Sequence, residues 1–431
     1  MVMKEYFTIS EVADLLGVSK ETLRRWDNND KLKATRHPIN NYRVYSKEQL
    51  KAFDKLHFLF NSDKANDNPK ANHNYNSIEL FAGAGGMALG LEKAGLNCTF
   101  LNEIDHWACE TLRTNRPNWS VIEDDVSKLD FSDYKGKIDV VTGGFPCQAF
   151  SYAGKKMGFN DARGTLFYEF ARVVNEVKPL ICVGENVRGL LRHDNGNTIN
   201  GMKSVLEELG YRVLNPTVLK ALYFNVPQKR ERLFLVGIRE DIETEFLFPK
   251  PYKRQYNLRD ALKKGDLYNC DVPESQGSQY PARKKEILDL VPPGGYWRDL
   301  PLKIQKEYMQ KSFYLGGGKT GMARRISWEE PSLTLTCSPA QKQTERCHPE
   351  ETRPFTIREY ARIQTFPDSW MFSGSVSNQY KQIGNAVPVN LAKEIGHSII
   401  SFLNKAYKEY NLENKIINSN QKIMEFEEAE S

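Results

Sequence analysis

The sequence predicts an α/β protein with a doubly wound sheet, which follows a small N-terminal helical unit and is interrupted by a smaller domain. Three observations support this prediction. Strand and helix patterns alternate between residues 77 and 239, which is typical of a parallel sheet covered by helices on both faces. A polar run over residues 61–76 precedes that alternation. The length of 431 residues fits two or three domains.

The composition excludes several other classes of protein. Hydrophobic residues make up 40% of the chain and charged residues 27%, which is typical of globular proteins and not of fibrous or wholly disordered ones. No apolar stretch approaches the length of a membrane span, and residues 1–6 lack the features of a signal peptide. Seven cysteines without a Cys-x-x-Cys pair argue against a disulfide framework or a structural zinc site. We therefore expect a cytoplasmic protein with reduced thiols and no metal.

Residues 1–57 are predicted to form the small helical unit. Thr8 and Glu11 fit a capping box, in which each side chain satisfies a free amide of the first helical turn. Apolar residues then recur at helical spacing, and a second short helix follows. Residues 36–45 fit a short hairpin, and a third helix begins near Ser46.

A flexible polar linker is predicted over residues 58–76, before the alternating region. The predicted strands cover residues 78–81, 98–101, 139–142 and 180–183, and the predicted helices cover residues 87–94, 106–115, 166–177 and 201–209. Clear periodicity is then lost after residue 239 and returns in helices over 357–363 and 391–403. Residues 406–431 are predicted to be an acidic, frayed tail.

A glycine-rich turn over residues 81–88 lies between the first strand and the first helix of this region. Gly83 and Gly85 permit a tight turn and a close backbone approach to a ligand. Glu103 ends the next strand, where an acid can accept both hydroxyls of a ribose. Asp125 could accept from an adenine amino group. The pattern indicates an adenosine-containing cofactor, either a dinucleotide or S-adenosylmethionine; the alternative is a glycine-rich turn that binds no ligand.

A cysteine follows a proline in the loop over residues 143–151, just beyond the carboxyl end of a strand. Pro146 fixes its own φ and favours an extended conformation at Phe145, so Cys147 is presented from a stiff loop. Most cysteines are buried and inert, so a structural role is the alternative. The glycine and polar neighbours indicate the access that a reactive thiolate needs.

Three further segments place polar side chains near the same edge of the sheet. Glu185 stands at the end of the strand over 180–183 and is a candidate acid. Arg230 and Arg232, at alternate positions, share one face of a strand; a solvated charge run is the alternative. Residues 382–388 lead into the last helix.

Together these residues resemble the DNA (cytosine-5) methyltransferase family of type II restriction–modification systems, over residues 77 to about 403. The blocks stand in the family's order: Phe-x-Gly-x-Gly-Gly from Phe81, Pro-Cys-Gln from Pro146, Glu-Asn-Val from Glu185, Gln-x-Arg-x-Arg from Gln228, and Gly-Asn-x-Val from Gly384. Residues 163–167 and 353–368 also look like family blocks. The resemblance implies a Rossmann-like S-adenosylmethionine-dependent methyltransferase fold in a bacterial cytoplasmic enzyme.

The resemblance also implies the roles of the candidate catalytic residues. Cys147 would attack carbon 6 of cytosine, as in other covalent catalysis by cysteine. Glu185 would protonate N3, which requires a raised pKa. Arg232 would hold O2, and Arg230 would support Glu185 or the loop. The target base must be flipped out of the duplex, and residues 148–161 look like the loop that closes over it.

The resemblance assigns a set of residues to the cofactor pocket. They are Phe81, Ala84, Gly86, Glu103, Ile104, Asp125, Val126, Pro146, Leu166, Asn385 and Val387. Ile104 stands where some relatives carry a tryptophan that stacks on adenine, so this chain offers less area there.

By the same resemblance, residues 77–240 and 353–405 form the catalytic domain and residues 241–352 a smaller target-recognition domain. Arginine can contact guanine edges and lysine can hold phosphates. The predicted DNA contacts of this domain are Lys319, Arg324, Arg325, Thr334, Lys342 and Arg346. The alternative is that these charges face solvent, which is common for such residues.

Residues 1–57 resemble a MerR-type winged helix-turn-helix. Arg24 and Arg25 lie in the recognition helix and Arg43 in the wing, so all three are predicted to contact DNA. The long dimerising helix of MerR regulators is missing, which puts palindromic binding in doubt. We expect this unit to bind the promoter of its own restriction–modification genes. The expected partners are therefore double-stranded target DNA, bound by a monomer, that promoter, and a cognate restriction endonuclease as a genetic partner.

Other functions that parts of the sequence resemble leave some of the candidate site residues unexplained. An NAD-dependent oxidoreductase would use the glycine turn and Glu103 but not Cys147, Glu185 or the paired arginines. A zinc deaminase would match the His-x-Glu at His348, but the second cysteine of its Pro-Cys-x-x-Cys is missing. Residues 318–320 imitate the end of a P-loop that lacks its first glycine. A regulator with a degenerate methylase domain is the non-enzymatic alternative.

The formal net charge of +5 conceals two basic segments. Residues 249–353 hold 19 Lys and Arg against 13 Asp and Glu, and residues 1–57 hold 11 against 8. The tail from residue 406 holds 3 against 6. Both basic segments lie in regions assigned to DNA on other grounds, which favours phosphate contact there.

Overall fold

The computed structural model describes residues 6–16, 18–37, 41–50, 68–146, 165–316 and 319–429. The chain divides into two compact units, Met1–Asp67 and Asn68–Ser431. No helix within the described ranges is long and apolar enough to span a membrane.

The first unit contains a three-stranded antiparallel sheet in the order β1–β3–β2 and three short helices. Its elements are β1 Tyr6–Thr8, α1 Ile9–Leu16, α2 Lys20–Asn28, β2 Thr35–Arg36, β3 Arg43–Ser46 and α3 Lys47–Leu50. The predicted capping box is confirmed, since the backbone N–H of Thr8 donates to Glu11 Oε2 at 2.8 Å and the N–H of Glu11 donates to Thr8 Oγ1 at 3.3 Å. Val12, Leu23 and Tyr45 are fully buried and form the centre of the core.

The second unit is built on a sheet whose parallel strands alternate with helices. Its strands are β4 Asn76–Leu80, β5 Asn97–Glu103, β6 Val121–Glu123, β7 Val140–Gly143, β8 Ile181–Val187, β9 Tyr211–Val213, β10 Thr217–Lys220, β11 Gln228–Lys229, β12 Glu231–Arg239 and β13 Ser332–Leu333. Its helices are α4 Gly86–Ala94, α5 His106–Asn115, α6 Leu166–Val177, α7 Asn197–Glu208, α8 Leu258–Leu262, α9 Ala282–Asp289, α10 Leu302–Met309, α11 Ile357–Ile363, α12 Val376–Asn385 and α13 Val389–Ala429.

The main sheet has eight strands. The four strands predicted at residues 78–81, 98–101, 139–142 and 180–183 pair in parallel as expected, but the sheet as a whole is mixed. The strand order is β10–β12–β8–β7–β4–β5–β6, with β9 also paired to β12. Strands β4 to β8 are parallel, whereas β12 runs antiparallel to β8, β9 and β10. The connection from β10 to β12 is too short for a crossover helix, so the chain returns antiparallel.

The sheet is buried on both faces, as expected for a doubly wound fold. Every residue of β7 is buried, and one face packs on α6 and α7 through Phe170, Val174 and Leu206. Helices α4 and α13 pack closely because each contributes a glycine to their contact, Gly90 and Gly396. A Cβ at Gly396 would lie only 2.6 Å from the Cβ of Ala94.

Two segments differ from the sequence predictions. The end of the predicted linker is packed, because Tyr75 is fully buried and its hydroxyl donates to Asn404 Oδ1 at 2.8 Å, while His73 stacks on Tyr407. His73 and Tyr75 are the aromatic residues of the otherwise mostly polar run over residues 61–76. The predicted acidic tail continues as α13, which is a single helix to Ala429.

The region between β12 and α11 has its own small apolar cluster. Its fully or nearly fully buried members include Leu288, Val291, Met309, Ala323 and Cys347. Strand β13 of this region pairs in parallel with β11, which immediately precedes β12 in the chain. The domain boundaries at residues 240 and 352 stay a prediction.

Candidate active site

A cavity of about 680 Å³ lies at the carboxyl ends of β4, β5, β7 and β8, where open α/β sheets bind ligands. Its walls come from the glycine turn, the ends of those strands, the N-terminus of α6 and the turn after α12. The lining residues are Glu79, Phe81, Ala82, Gly83, Gly86, Met87, Glu103, Ile104, Asp105, Ala108, Gly144, Phe145, Pro146, Leu166, Glu185, Asn186, Val187, Arg232, Lys381, Gln382, Asn385, Ala386 and Val387.

The glycine turn is held in place by its backbone conformation and by one carboxylate. Gly83 and Gly85 have positive φ angles of 54° and 80°, which L side chains rarely adopt. The N–H of Gly83 donates to Glu103 Oε2 at 2.7 Å, and the N–H groups of Ile104 and Asp105 donate to Oε1 at 2.8 Å. The carboxylate of Glu103 is therefore fixed at the edge of the cavity.

Eight of the eleven predicted cofactor residues line the cavity. They are Phe81, Gly86, Glu103, Ile104, Pro146, Leu166, Asn385 and Val387. Ala84, Asp125 and Val126 are not among its lining residues. Ala84 and Val126 are buried, and Asp125 Oδ1 accepts the N–H of Ser127 at 3.0 Å, so Asp125 caps a short 3-10 helix.

Glu185 and Arg232 meet on the wall of this cavity. The Nε of Arg232 lies 2.6 Å from Oε1 of Glu185, and the two side chains are only 10% and 11% exposed. Burial raises the pKa of Glu185 above its usual value, although the charge of Arg232 opposes that shift. A Cβ on Gly144 would lie 3.3 Å from Glu185 Oε2, so this carboxyl oxygen faces the loop after β7.

Arg230 is buried and does not face the cavity. Its guanidinium donates to the carbonyl oxygens of Leu335 at 3.1 Å, Gly384 at 2.9 Å and Ala386 at 3.0 Å. Arg230 thus lies behind the cavity wall and braces the turn after α12. Among the described residues no hydrogen bond or ion pair joins it to Glu185, whose ion pair is with Arg232.

Cys147 and the predicted closing loop over residues 148–161 lie outside the described residues, as do the first two residues of the block at 163–167. The backbone that leads to Cys147 is described. Pro146 lines the cavity, and the carbonyl oxygen of Phe145 accepts from Asn186 Nδ2 at 2.8 Å. This bond ties the loop after β7 to the strand that carries Glu185.

Two features of the cavity were missed by sequence reasoning. Glu79 is almost fully buried in β4, and its Oε2 has no hydrogen-bond partner among the described residues. Burial and the charges of Glu103 and Glu185 raise its pKa well above the usual range. At the rim, Lys381 Nζ lies 2.8 Å from Asp105 Oδ2. A lone acid within an apolar strand was the signal that could have identified Glu79.

The predicted DNA contacts between residues 319 and 346 fall into two groups. The first group is partly exposed and comprises Lys319, Arg324, Thr334 and Lys342. Lys319 donates to two carbonyl groups of its own loop, and Arg324 pairs with Glu330 at 2.5 Å. Thr334 donates to a backbone carbonyl at 2.6 Å, and the ammonium of Lys342 lies 5.0 Å from the centroid of an aromatic ring.

Arg325 and Arg346 form the second group, because both are buried. Arg325 donates to the carbonyl oxygens of Leu288 and Val291 at 2.8 and 2.7 Å, and Arg346 donates to the carbonyl oxygen of Thr334 at 2.9 Å. Most of their donors bind backbone carbonyl groups, whereas Arg346 Nε has no hydrogen-bond partner among the described residues. Burial is opposed to the predicted DNA contact of these two residues, which instead brace the segment between β12 and α11.

In the first unit the predicted DNA contacts lie on α2 and β3. Arg24 and Arg25 are exposed on α2, where Arg24 pairs with Glu21 at 2.9 Å. Arg43 Nε lies 2.6 Å from Asp27 Oδ2, and this hydrogen bond lowers the pKa of Asp27. Arg43 therefore links the hairpin to α2, which leaves Arg24 and Arg25 as the more accessible pair.

His348 does not offer a metal site in this conformation. Its Nδ1 accepts the backbone N–H groups of Glu350 and Glu351 at 3.3 and 3.1 Å. Across the described part of the chain, no group of three or more His, Cys, Asp and Glu is arranged to hold a metal ion. The zinc deaminase alternative therefore has no support here.

Comparison with known families gives two matches. The model of the C-5 cytosine-specific DNA methylases matches residues 75–401, and that of the MerR family regulatory proteins matches residues 8–45. The first match covers more than half of the chain and includes every block of the cavity. It also excludes the oxidoreductase alternative.

Curated relatives are similar over most of their length. Type II methyltransferase M.Eco47II of Escherichia coli is 63% identical over 409 residues, which cover 94% of this chain and 98% of that protein. Type II methyltransferase M.PspPI of Psychrobacter sp. is 56% identical over 94% of this chain and 98% of that protein. M.Sau96I of Staphylococcus aureus is 54% identical and covers 78% of each.

Among solved structures, Spodoptera frugiperda DNMT2 has a TM-score of 0.54 at 17% identity, and covers 75% of this chain and 99% of that chain. This likeness supports the fold. The family match and the curated relatives show that the chain belongs to the C-5 cytosine-specific DNA methylases, as a type II methyltransferase of a restriction–modification system with a MerR-like helix-turn-helix region.

Proposed function

We propose that this methyltransferase acts on a flipped-out cytosine in a specific duplex sequence, with S-adenosylmethionine as methyl donor and a transient covalent bond from Cys147. The observation that best supports the proposal is the buried pair of Glu185 and Arg232 on the wall of the cavity that Glu103 also lines. A carboxyl group beside a guanidinium offers the donors that the Watson–Crick edge of cytosine requires.

The cavity fits S-adenosylmethionine in size and in charge. A volume of about 680 Å³ lies within the usual range of small-molecule sites. The carboxylate of Glu103 lies at the edge of the cavity, and its negative charge complements the sulfonium and ammonium groups of the cofactor. Ile104, which is 67% exposed, supplies an apolar surface for adenine. When bound, the cofactor supplies an electrophilic methyl group.

Glu185 and Arg232 are proposed to activate the base. As the Cys147 thiolate forms a bond to carbon 6, negative charge moves onto the ring and towards N3 and O2. The proton of Glu185 passes to N3, and Arg232 holds O2. Because burial raises the pKa of Glu185, more of its acid form is present near neutral pH than for an exposed glutamate.

The activated carbon 5 would take the methyl group as its bond to the sulfonium sulfur breaks, which would leave a neutral thioether, and the adduct then resolves. Carbon 5 loses its proton to a base, the electron pair restores the ring double bond, and the bond from carbon 6 to Cys147 breaks. N3 returns its proton to Glu185, so the residues end in their starting states. The product is 5-methylcytosine, which would protect host DNA from a cognate endonuclease.

Two experiments test this mechanism. Bisulfite sequencing of plasmid DNA from expressing cells should show protected cytosines at one short sequence, and cells that express Cys147→Ala should show none. A duplex with 5-fluorocytosine at the target should form a covalent adduct that maps to Cys147. Full methylation by Cys147→Ala would refute the covalent route.

We also propose that the MerR-like region binds the promoter of its own restriction–modification genes. The exposed pair Arg24 and Arg25 on α2 supports this proposal, since the second helix of such units reads the major groove. The full-length protein should protect a segment upstream of the operon in a footprint, and Arg24→Ala with Arg25→Ala should remove that protection. A footprint that survives deletion of residues 1–60 would overturn the proposal.

A further inference from the structure

We propose that Cys337 is a positioning residue of the cofactor cavity, and that it acts through the side-chain amide of Asn385. The Sγ of Cys337 lies 3.0 Å from Oδ1 of Asn385, and Asn385 lines the cavity. This inference rests on the proposed assignment of the cavity to S-adenosylmethionine.

The chemistry of the thiol determines which way the amide faces. A thiol is a weak donor and a poor acceptor, so it pairs with the oxygen of an amide and not with its NH₂ group. Cys337 therefore directs Oδ1 of Asn385 away from a bound ligand. The contacts of the described residues leave Nδ2 without an acceptor, so it is available on the cavity wall to donate to an oxygen or nitrogen of the cofactor.

The backbone on both sides of this contact is held tightly, which keeps Cys337 and Asn385 at neighbouring positions. A Cβ on Gly384 would lie only 2.5 Å from the carbonyl carbon of Thr336, which shows how closely the two segments pack. Arg230 ties the same segments by donating to the carbonyl oxygens of Leu335, Gly384 and Ala386. The segment that ends with Cys337 thus packs behind residues 385–387, which line the cavity.

The test compares Cys337→Ala, which removes the donor, with Cys337→Ser, which keeps one. We expect isothermal titration of the full-length protein with S-adenosylmethionine to give a Kd about two- to fivefold higher for Cys337→Ala, as expected for one weak hydrogen bond. Cys337→Ser should bind within about twofold of the wild type. Ser338→Ala, at the exposed neighbouring position, is the matched control and should bind like the wild type.

A double-mutant cycle separates positioning from a general loss of structure. In an Asn385→Ala background, Cys337→Ala should have no further effect on the Kd, because the amide that it orients is gone. An unchanged Kd in Cys337→Ala, or the same loss in both backgrounds, would overturn the inference. Failure of the wild type to bind S-adenosylmethionine would instead overturn the proposed cofactor site itself.

Discussion

The Nε of Arg232 lies 2.6 Å from Oε1 of Glu185, across two neighbouring antiparallel strands. The register pairs Glu185 with Phe234 and Arg232 with Val187, so the two residues are diagonal neighbours on one face of the sheet. Burial raises the pKa of the carboxyl group, and the guanidinium opposes that shift without cancelling it. A carboxyl in this setting keeps its proton to a higher pH than an exposed glutamate does.

The first prediction concerns the pH dependence of methyl transfer. Glu185 acts as an acid, and its acid form is present below its pKa, so the single-turnover rate should fall as the pH rises through that raised pKa. Glu185→Gln should lose this dependence and should be slower by about 100-fold or more, as for the loss of a general acid.

Single-turnover transfer across the neutral pH range measures this effect. Glu231→Gln is the matched control, because Glu231 precedes Arg232 in β12 and pairs with Arg188 at 2.8 Å, outside the cavity. A Glu185→Gln variant with the wild-type rate and the wild-type pH profile would show that the proton comes from elsewhere.

The second prediction concerns the stability that Arg230 provides. Arg230→Met leaves three carbonyl groups without their donor, which should lower the free energy of unfolding by about 3 kcal/mol. Urea unfolding of the full-length protein measures the change. The control is Arg188→Met at a partly exposed ion pair, where the cost should be below about 1 kcal/mol. Equal losses in the two variants would contradict the bracing role of Arg230.

The third prediction concerns the close approach of the glycine turn to the turn after α12. A Cβ on Gly86 would overlap the carbonyl oxygen of Val387 and would lie 3.2 Å from the Cβ of Ala386. Gly86→Ala should cost about 1–3 kcal/mol, shared between stability and cofactor binding, as for an overpacked site. Thermal unfolding and cofactor titration measure both parts. Gly265→Ala, where a Cβ meets nothing within 4 Å, should change neither quantity.

The fourth prediction distinguishes a residue that braces the segment between β12 and α11 from a residue that contacts DNA. Arg325→Ala removes a buried guanidinium and should lower the free energy of unfolding by about 2–4 kcal/mol. Lys342→Ala should leave stability unchanged and should reduce the salt dependence of DNA binding by about one charge. Fluorescence anisotropy of labelled DNA at several salt concentrations measures the binding, and unfolding curves measure the stability of both variants. A reduced salt slope in a stable Arg325→Ala variant would restore Arg325 as a phosphate contact.

Local patterns in the sequence were sufficient for much of the fold. Helices α5, α6 and α11 have the predicted bounds, because apolar spacing and side-chain caps such as Thr165 and Thr356 are local properties. The capping box at Thr8 is confirmed for the same reason. The antiparallel edge of the sheet was not predicted, since the direction of β12 depends on pairing with strands distant in sequence.

The order of the motifs identified the family, the reaction and most of the residues that line the cavity, because each motif is a short run that can be recognised from the sequence alone. Only the tertiary structure decided which charged residues face the cavity. In the folded protein Arg325 and Arg346 are buried, and Arg230 lies behind the turn after α12. Glu79, whose Oε2 has no hydrogen-bond partner among the described residues, lines the cavity. The thiol of Cys337 contacts Asn385. Burial and partner choice depend on contacts between segments far apart in the chain, and a linear pattern of residue types does not contain them.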